Sequence, residues 1–120
     1  MSEWEFVDVW VFAAIGGYGR PCTLVEMISS ADMINHAILL EDELTSALGK
    51  LAGAGLLRVF EDWTFELTDD GTTVWTSEVR DLTAHLKTVQ ARFDDFEPGT
   101  TVVKLPRGLM AAAVEEYRSR

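Results

Sequence analysis

The chain reads as an α+β protein, mainly α-helical. Three observations carry that class. Apolar residues recur at spacings of three and four in several separate stretches, as they do on helices with a buried face. One short stretch, Trp63 to Leu67, alternates at a period of two, as a half-buried strand does. A longer run, from Trp75 to Phe96, sets its apolar residues at alternating spacings of four and three.

Glu3 to Tyr18 is the first predicted helix. Val7, Trp10, Val11, Ala14, Ile15 and Tyr18 line one side, and Val9, Phe12 and Ala13 make a second apolar side. A helix apolar on two sides either lies deep in a core or is shared with a second subunit. In so small a chain the second subunit is the expectation. Gly16, Gly17, Gly19 and Pro21 end the helix. Thr23 to Ser30 is the second helix, with Thr23 as N-cap, Glu26 at capping-box spacing, and Leu24, Met27 and Ile28 facing inward. Asp32 then caps a short helical turn containing Ile34 and Ala37. The third helix starts near Glu41, buries Leu44, Ala47, Leu48 and Leu51, and stops at Gly53 and Gly55. Leu57 to Phe60 and Trp63 to Leu67 are strands joined by Glu61 and Asp62.

Thr68 is a good N-cap for a fourth helix, whose first turn holds Asp69 and Asp70 at the positive end of the helix dipole. This helix is expected to span 69–96. Trp75, Val79, Leu82, Leu86, Val89, Phe93 and Phe96 form its seam. Such a seam serves a helix lying on its own core or one paired with a symmetry mate. Its narrowness favours the mate, so a homodimer through helices 1 and 4 is expected. Glu97-Pro98-Gly99 reads as a turn and Thr100 to Leu105 as extended chain. A C-terminal helix over 106–118 starts at Pro106, with Leu109, Met110, Ala113, Val114 and Tyr117 on the face that packs onto helix 1 or a neighbour.

All 120 residues are expected to form one domain, since 48% hydrophobic content fills a core and is too high for disorder. The longest apolar run, Val9 to Ile15, falls far short of the about 20 residues that span a bilayer. The acidic start, MSEWEF, is unlike a signal peptide. A cytoplasmic protein without membrane contact is expected. Cys22 is the single cysteine, so no internal disulfide forms, and it reads as an inert thiol.

The formal net charge is -10, unevenly placed. Residues 1–79 hold fourteen Asp and Glu against Arg20, Lys50 and Arg58, whereas residues 80–120 hold six acidic and seven basic residues. Such an acidic segment repels nucleic acid and suits a basic partner. No catalytic motif is legible. His36 and His85 stand apart from any Cys or His cluster, and a local bond to Asp32 suffices for His36. His85 falls on the polar side of helix 4. Gly16-Gly17-Tyr18-Gly19-Arg20 lacks the Gly-Lys-Ser/Thr of a phosphate loop. Adjacent carboxylates such as Asp69-Asp70 and Asp94-Asp95 diverge by about 100° on a helix and make no acid–base pair. The chain is therefore expected to be non-catalytic and to need no cofactor or metal. An aromatic ligand pocket between helices 1 and 4 stays open as an alternative to core packing for the tryptophans.

The stretch ELTSALGKLAGAGLLRVFEDWTFELTDDG, ending at Gly71, resembles the close of a winged helix-turn-helix. The residues that carry the likeness are Glu43-Leu44, Ala47-Leu48, Leu51, Gly55-Leu56-Leu57, Phe65, Leu67-Thr68 and Gly71. The likeness extends over 5–75 and is to bacterial regulators of the PadR-like and MarR-like types. It implies a DNA-binding third helix, a wing at the strand turn, and a dimerising helix after the wing. Here the third helix opens on Glu41, Asp42 and Glu43, and the wing turn is Glu61-Asp62. Lys50 and Arg58 are the only cations from the third helix through the wing, too few for phosphate contacts. The usual face is thus not expected to bind DNA. The chain is read as a homodimeric protein-interaction module that meets a basic protein through Glu41, Asp42, Glu43, Lys50, Glu61, Asp62 and Trp63. The alternative is a transcriptional regulator that binds DNA through an unusual face or with a partner; a sensor that has lost DNA binding is a third.

Overall fold

The computed structural model describes residues 3–76 and 81–120. It is α+β and mainly helical, with a small antiparallel sheet. The helices are α1 (Phe6–Gly16), α2 (Leu24–Asn35), α3 (Glu41–Gly53), α4 (Asp69–Trp75), α5 (Leu82–Phe93) and α6 (Leu109–Arg118). The strands are β1 (Cys22–Thr23), β2 (Leu57–Val59) and β3 (Thr64–Leu67), ordered β1-β3-β2. Cys22 stands opposite Phe65, and Leu57 opposite Leu67.

Helix α1 is the centre of the core. Every residue from Asp8 to Gly16 is buried, and α2, α3, β3, α4 and α5 all pack on it. Its two apolar sides are thus both satisfied within one chain, where a second subunit was expected to cover one of them. A helix apolar all round belongs inside a core, and the C-terminal third of this chain supplies the missing cover.

Thr23 caps α2 as its spacing implies. Its hydroxyl accepts from the Glu26 N–H at 3.1 Å, and the Glu26 carboxylate accepts from the Thr23 N–H at 2.9 Å. The helix does not stop near Ser30. It continues to Asn35 because Ala31 and Ile34 extend the inward stripe and no Gly or Pro intervenes. Asp32 therefore starts no new turn. Its carbonyl accepts from the His36 N–H, and His36 ends the helix in a left-handed conformation at φ 54°. The local bond at His36 is thus a backbone one.

The helix expected over 69–96 is two helices. Thr76 leaves the helix with ψ 126°, and Asp81 caps α5 by accepting from the Ala84 N–H at 3.0 Å. The Thr76 hydroxyl turns back onto the Thr72 carbonyl at 2.7 Å, a local bond that competes with helix continuation. Helix α5 folds back onto the end of α4. Arg92 donates to the Val74 and Thr76 carbonyls at 2.9 and 2.6 Å, and His85 Nε2 donates to the Trp75 carbonyl at 2.8 Å. His85 is accordingly half-buried against the Trp75 ring rather than on a polar face.

Most of the described heptad residues pack on their own chain's core. Val89 and Phe93 are fully buried in their own chain. The Phe93 ring lies 4.8 Å from that of Trp4 and 5.1 Å from that of Phe12. Leu86, Phe96 and Trp75 are half-buried against the same core, and Leu82 is exposed. Val79 lies outside the described residues. Two residues of the expected dimer seam, Val89 and Phe93, thus pack within their own chain.

Residues 97–106 contain no turn or bend, so Glu97-Pro98-Gly99 is not the turn its composition suggests. Turns fall instead at Asp94–Asp95, just before it, and at Arg107–Gly108, and α6 begins after the second rather than at Pro106. Helix α6 packs mainly on α2, with the Tyr117 hydroxyl donating to Asp32 at 2.6 Å. Among the described residues no helix is long and apolar enough to cross a membrane.

Candidate functional site

Helix α3 buries Leu44, Ala47, Leu48 and Leu51. At about 100° per residue its opposite face carries Asp42, Ser46, Gly49 and Gly53. That face should be open to solvent, yet Gly49 is buried. The chain crosses the face there with its own residues 99–101, while Asp42 and Ser46 stay exposed. The Thr101 carbonyl oxygen occupies the space that a Cβ on Gly49 would need, and the Gly99 Cα lies 2.6 Å from where a Cβ on Gly53 would stand. The Gly99 N–H donates to the Lys50 carbonyl at 2.9 Å. Only glycine at 49 and 53 lets two backbones approach this closely.

The cations of this region are engaged elsewhere. Lys50 reaches away from α3 to Asp8, with Nζ 3.1 Å from Oδ2, and to the Glu3 carbonyl at 3.3 Å. Asp8 is wholly buried; its Oδ2 also accepts from the Glu5 N–H at 2.8 Å, and its Oδ1 has no hydrogen-bond partner among the described residues. Lys50 thus neutralises an interior carboxylate and does not belong with the surface acids. Arg58 pairs with Glu66 across the β2–β3 ladder at 3.7 Å.

The acidic residues divide by what their carboxylates do. Glu41 and Asp42 are exposed on the first turn of α3. The Glu43 carboxylate instead accepts from the Leu40 N–H at 2.9 Å and fixes the helix start. Leu40, the N-cap residue, is 65% exposed, so an apolar side chain borders these acids. In the hairpin turn Asp62 accepts from both the N–H and the hydroxyl of Thr64, at 3.2 and 2.7 Å. Glu61 is left exposed beside it. Trp63 is the last turn residue rather than the first strand residue, with φ 58°, and is half-buried. It faces a groove shared with Thr23 and Leu24 and with Leu109 and Ala113 of α6.

A cavity of about 280 Å³ lies between α1 and α4, lined by Gly16, Arg20, Arg58, Glu66, Asp69 and Trp75. Here the Trp75 ring lies flush on Gly16, 2.8 Å from the position of a Cβ. Its cations already bind protein carboxylates, Arg58 with Glu66 and Arg20 with Glu26 at 2.6 Å. The Arg20 bond, then the Thr23 N–H, pull the Glu26 carboxyl down to about 2. Cys22 is buried, and desolvation pushes its thiol up to about 12, so no thiolate forms at neutral pH. Among the described residues no group of three or more His, Cys, Asp or Glu is placed to hold a metal ion.

Sequence reasoning missed the bed of residues 99–101 on α3. The signal was present: two glycines four apart on the outward face of a helix, each about 1 kcal/mol worse there than alanine, with a third glycine at 99 to meet them. Comparison of the chain with protein-family models, curated proteins and solved structures gives no match.

Proposed function

We propose that the chain is a winged helix-turn-helix that binds protein rather than DNA. The order α1-β1-α2-α3-β2-β3, the strand order β1-β3-β2 and a hairpin after α3 support that fold reading. α3 then takes the recognition position and residues 60–63 the wing. The observation that carries the function is the state of α3. Its outward face is crossed by backbone at Gly49 and Gly53, its one cation is spent on buried Asp8, and its open end presents Glu41 and Asp42. The crossing backbone obstructs the close approach of a DNA groove, and its phosphates would meet carboxylates. Exposed Glu41 and Asp42 beside exposed Leu40, with exposed Glu61 in the hairpin turn, suit a partner that offers Lys or Arg next to apolar side chains.

The test has two arms. Fluorescence anisotropy of a random-sequence duplex at about 50 mM salt should show no binding where DNA-binding proteins show micromolar to submillimolar affinity. Salt-sensitive binding there overturns the reading in favour of a regulator that contacts DNA by another face. Titration with an amphipathic Lys/Leu peptide should show saturable binding that is lost when Glu41, Asp42 and Glu61 are changed to Lys. Binding that survives this reversal also overturns it.

A further inference from the structure

We propose that residues 100–105 are an exposed strand edge that pairs antiparallel with the same segment of a second copy of this chain. The two-fold axis passes beside Val102. This inference does not depend on the winged-helix reading.

The segment TTVVKL runs without turn or bend, and its burial alternates from exposed Val102 through half-buried Val103 and exposed Lys104 to buried Leu105. That period belongs to an extended chain. Successive residues of such a chain direct their N–H and C=O groups to opposite edges. The Thr101 carbonyl faces α3. Thr101 and Val103 therefore address α3, and Thr100, Val102 and Lys104 address the other edge. No hydrogen bond joins residues 100–105 to any described residue. The free edge is thus a row of unpaired donors and acceptors on Thr100, Val102 and Lys104, the first two β-branched, with Val102 83% exposed.

The flanks choose a second copy as occupant. Counted from Val102, Pro98 and Pro106 stand at equal distances, as do Glu97 and Arg107. Antiparallel pairing of Val102 with the partner's Val102 sets Thr100 opposite the partner's Lys104, both through free-edge groups. The prolines bound the ladder at both ends, since they have no N–H to give. Glu97 approaches the partner's Arg107 on each side, and both residues are exposed. Such an isologous contact is self-complementary in charge as well as backbone.

Sedimentation equilibrium at 150 mM salt, from about 10 to about 500 μM protein, should show the mass rise from one chain toward two; small interfaces are weak. Val102→Pro removes a free-edge N–H and should stay monomeric throughout, while Val102→Thr should dimerise. Arg107→Glu should weaken the dimer, and Glu97→Arg in the same chain should restore it. An unchanged circular dichroism spectrum establishes that each variant is folded. A wild-type chain that stays monomeric to the highest concentration overturns the proposal. So does a dimer that Val102→Pro leaves intact. Neither result bears on the DNA and peptide titrations, so the two readings fail separately.

Discussion

Replacing Gly49 with alanine sets two known effects against each other. In an exposed helix interior the change stabilises by about 1 kcal/mol, because alanine has the better helix propensity. Gly49 sits mid-helix, but the Thr101 carbonyl fills the site of the new methyl. The obstacle is backbone, and it is tethered by the Gly99 N–H on Lys50 and by Gly99 against Gly53. Overpacking against such a neighbour costs about 1–3 kcal/mol, and an unyielding backbone places the change in the upper part of that range. The net expectation is a loss of about 1–2 kcal/mol, or a fall in Tm of roughly 4–8 °C for a domain this size. Urea denaturation followed by tryptophan fluorescence reads it directly. A Gly49→Ala variant more stable than the wild type would refute the reasoning. It would mean that residues 99–101 do not lie on α3 in solution and that Gly49 is uncovered.

Phe93→Ala should destabilise by about 3–5 kcal/mol in chemical denaturation, since a fully buried ring is lost from between Trp4 and Phe12; a near-neutral change would return Phe93 to an exposed seam. The carboxyl of Glu26 lies at about 2 in the folded chain against 4.5 ordinarily. Its contribution to stability is therefore present above pH 4.5 and lost as the pH falls toward 2. Thermal melts of wild type and Glu26→Gln should differ at pH 6 and converge by pH 2; a gap that persists at pH 2 contradicts the Arg20–Thr23–Glu26 arrangement.

Local signals were legible where the local chemistry decides. Thr23 and Glu26 form the capping box their spacing spells, Thr68 caps α4, and Leu44, Ala47, Leu48 and Leu51 are the buried stripe of α3. Within the heptad, Val89 and Phe93 are buried and pack in their own chain, while Leu82 stays exposed. Periodicity tells which residues of α5 leave water and not whether α1 or a second chain receives them. Thr76 and Asp81 also carried break signals that an unbroken apolar count overrides. Of the candidate site, the acids at Glu41, Asp42 and Glu61 were legible as surface, because little else is done with clustered charge. Lys50 was not, because its partner Asp8 is 42 residues away in the chain.

By itself the sequence determined α1, α3 and the β2–β3 hairpin, the acidic imbalance, the Thr23 and Thr68 caps and most of the apolar faces. These rest on chemistry between residues a few positions apart. The tertiary structure alone decided what each face meets. It put α1 at the centre, folded α5 back over it, and laid residues 99–101 on the glycines of α3. The physical reason is that burial is non-directional: an apolar or glycine-flat face specifies that it must be covered, and only the path of the whole chain specifies by what.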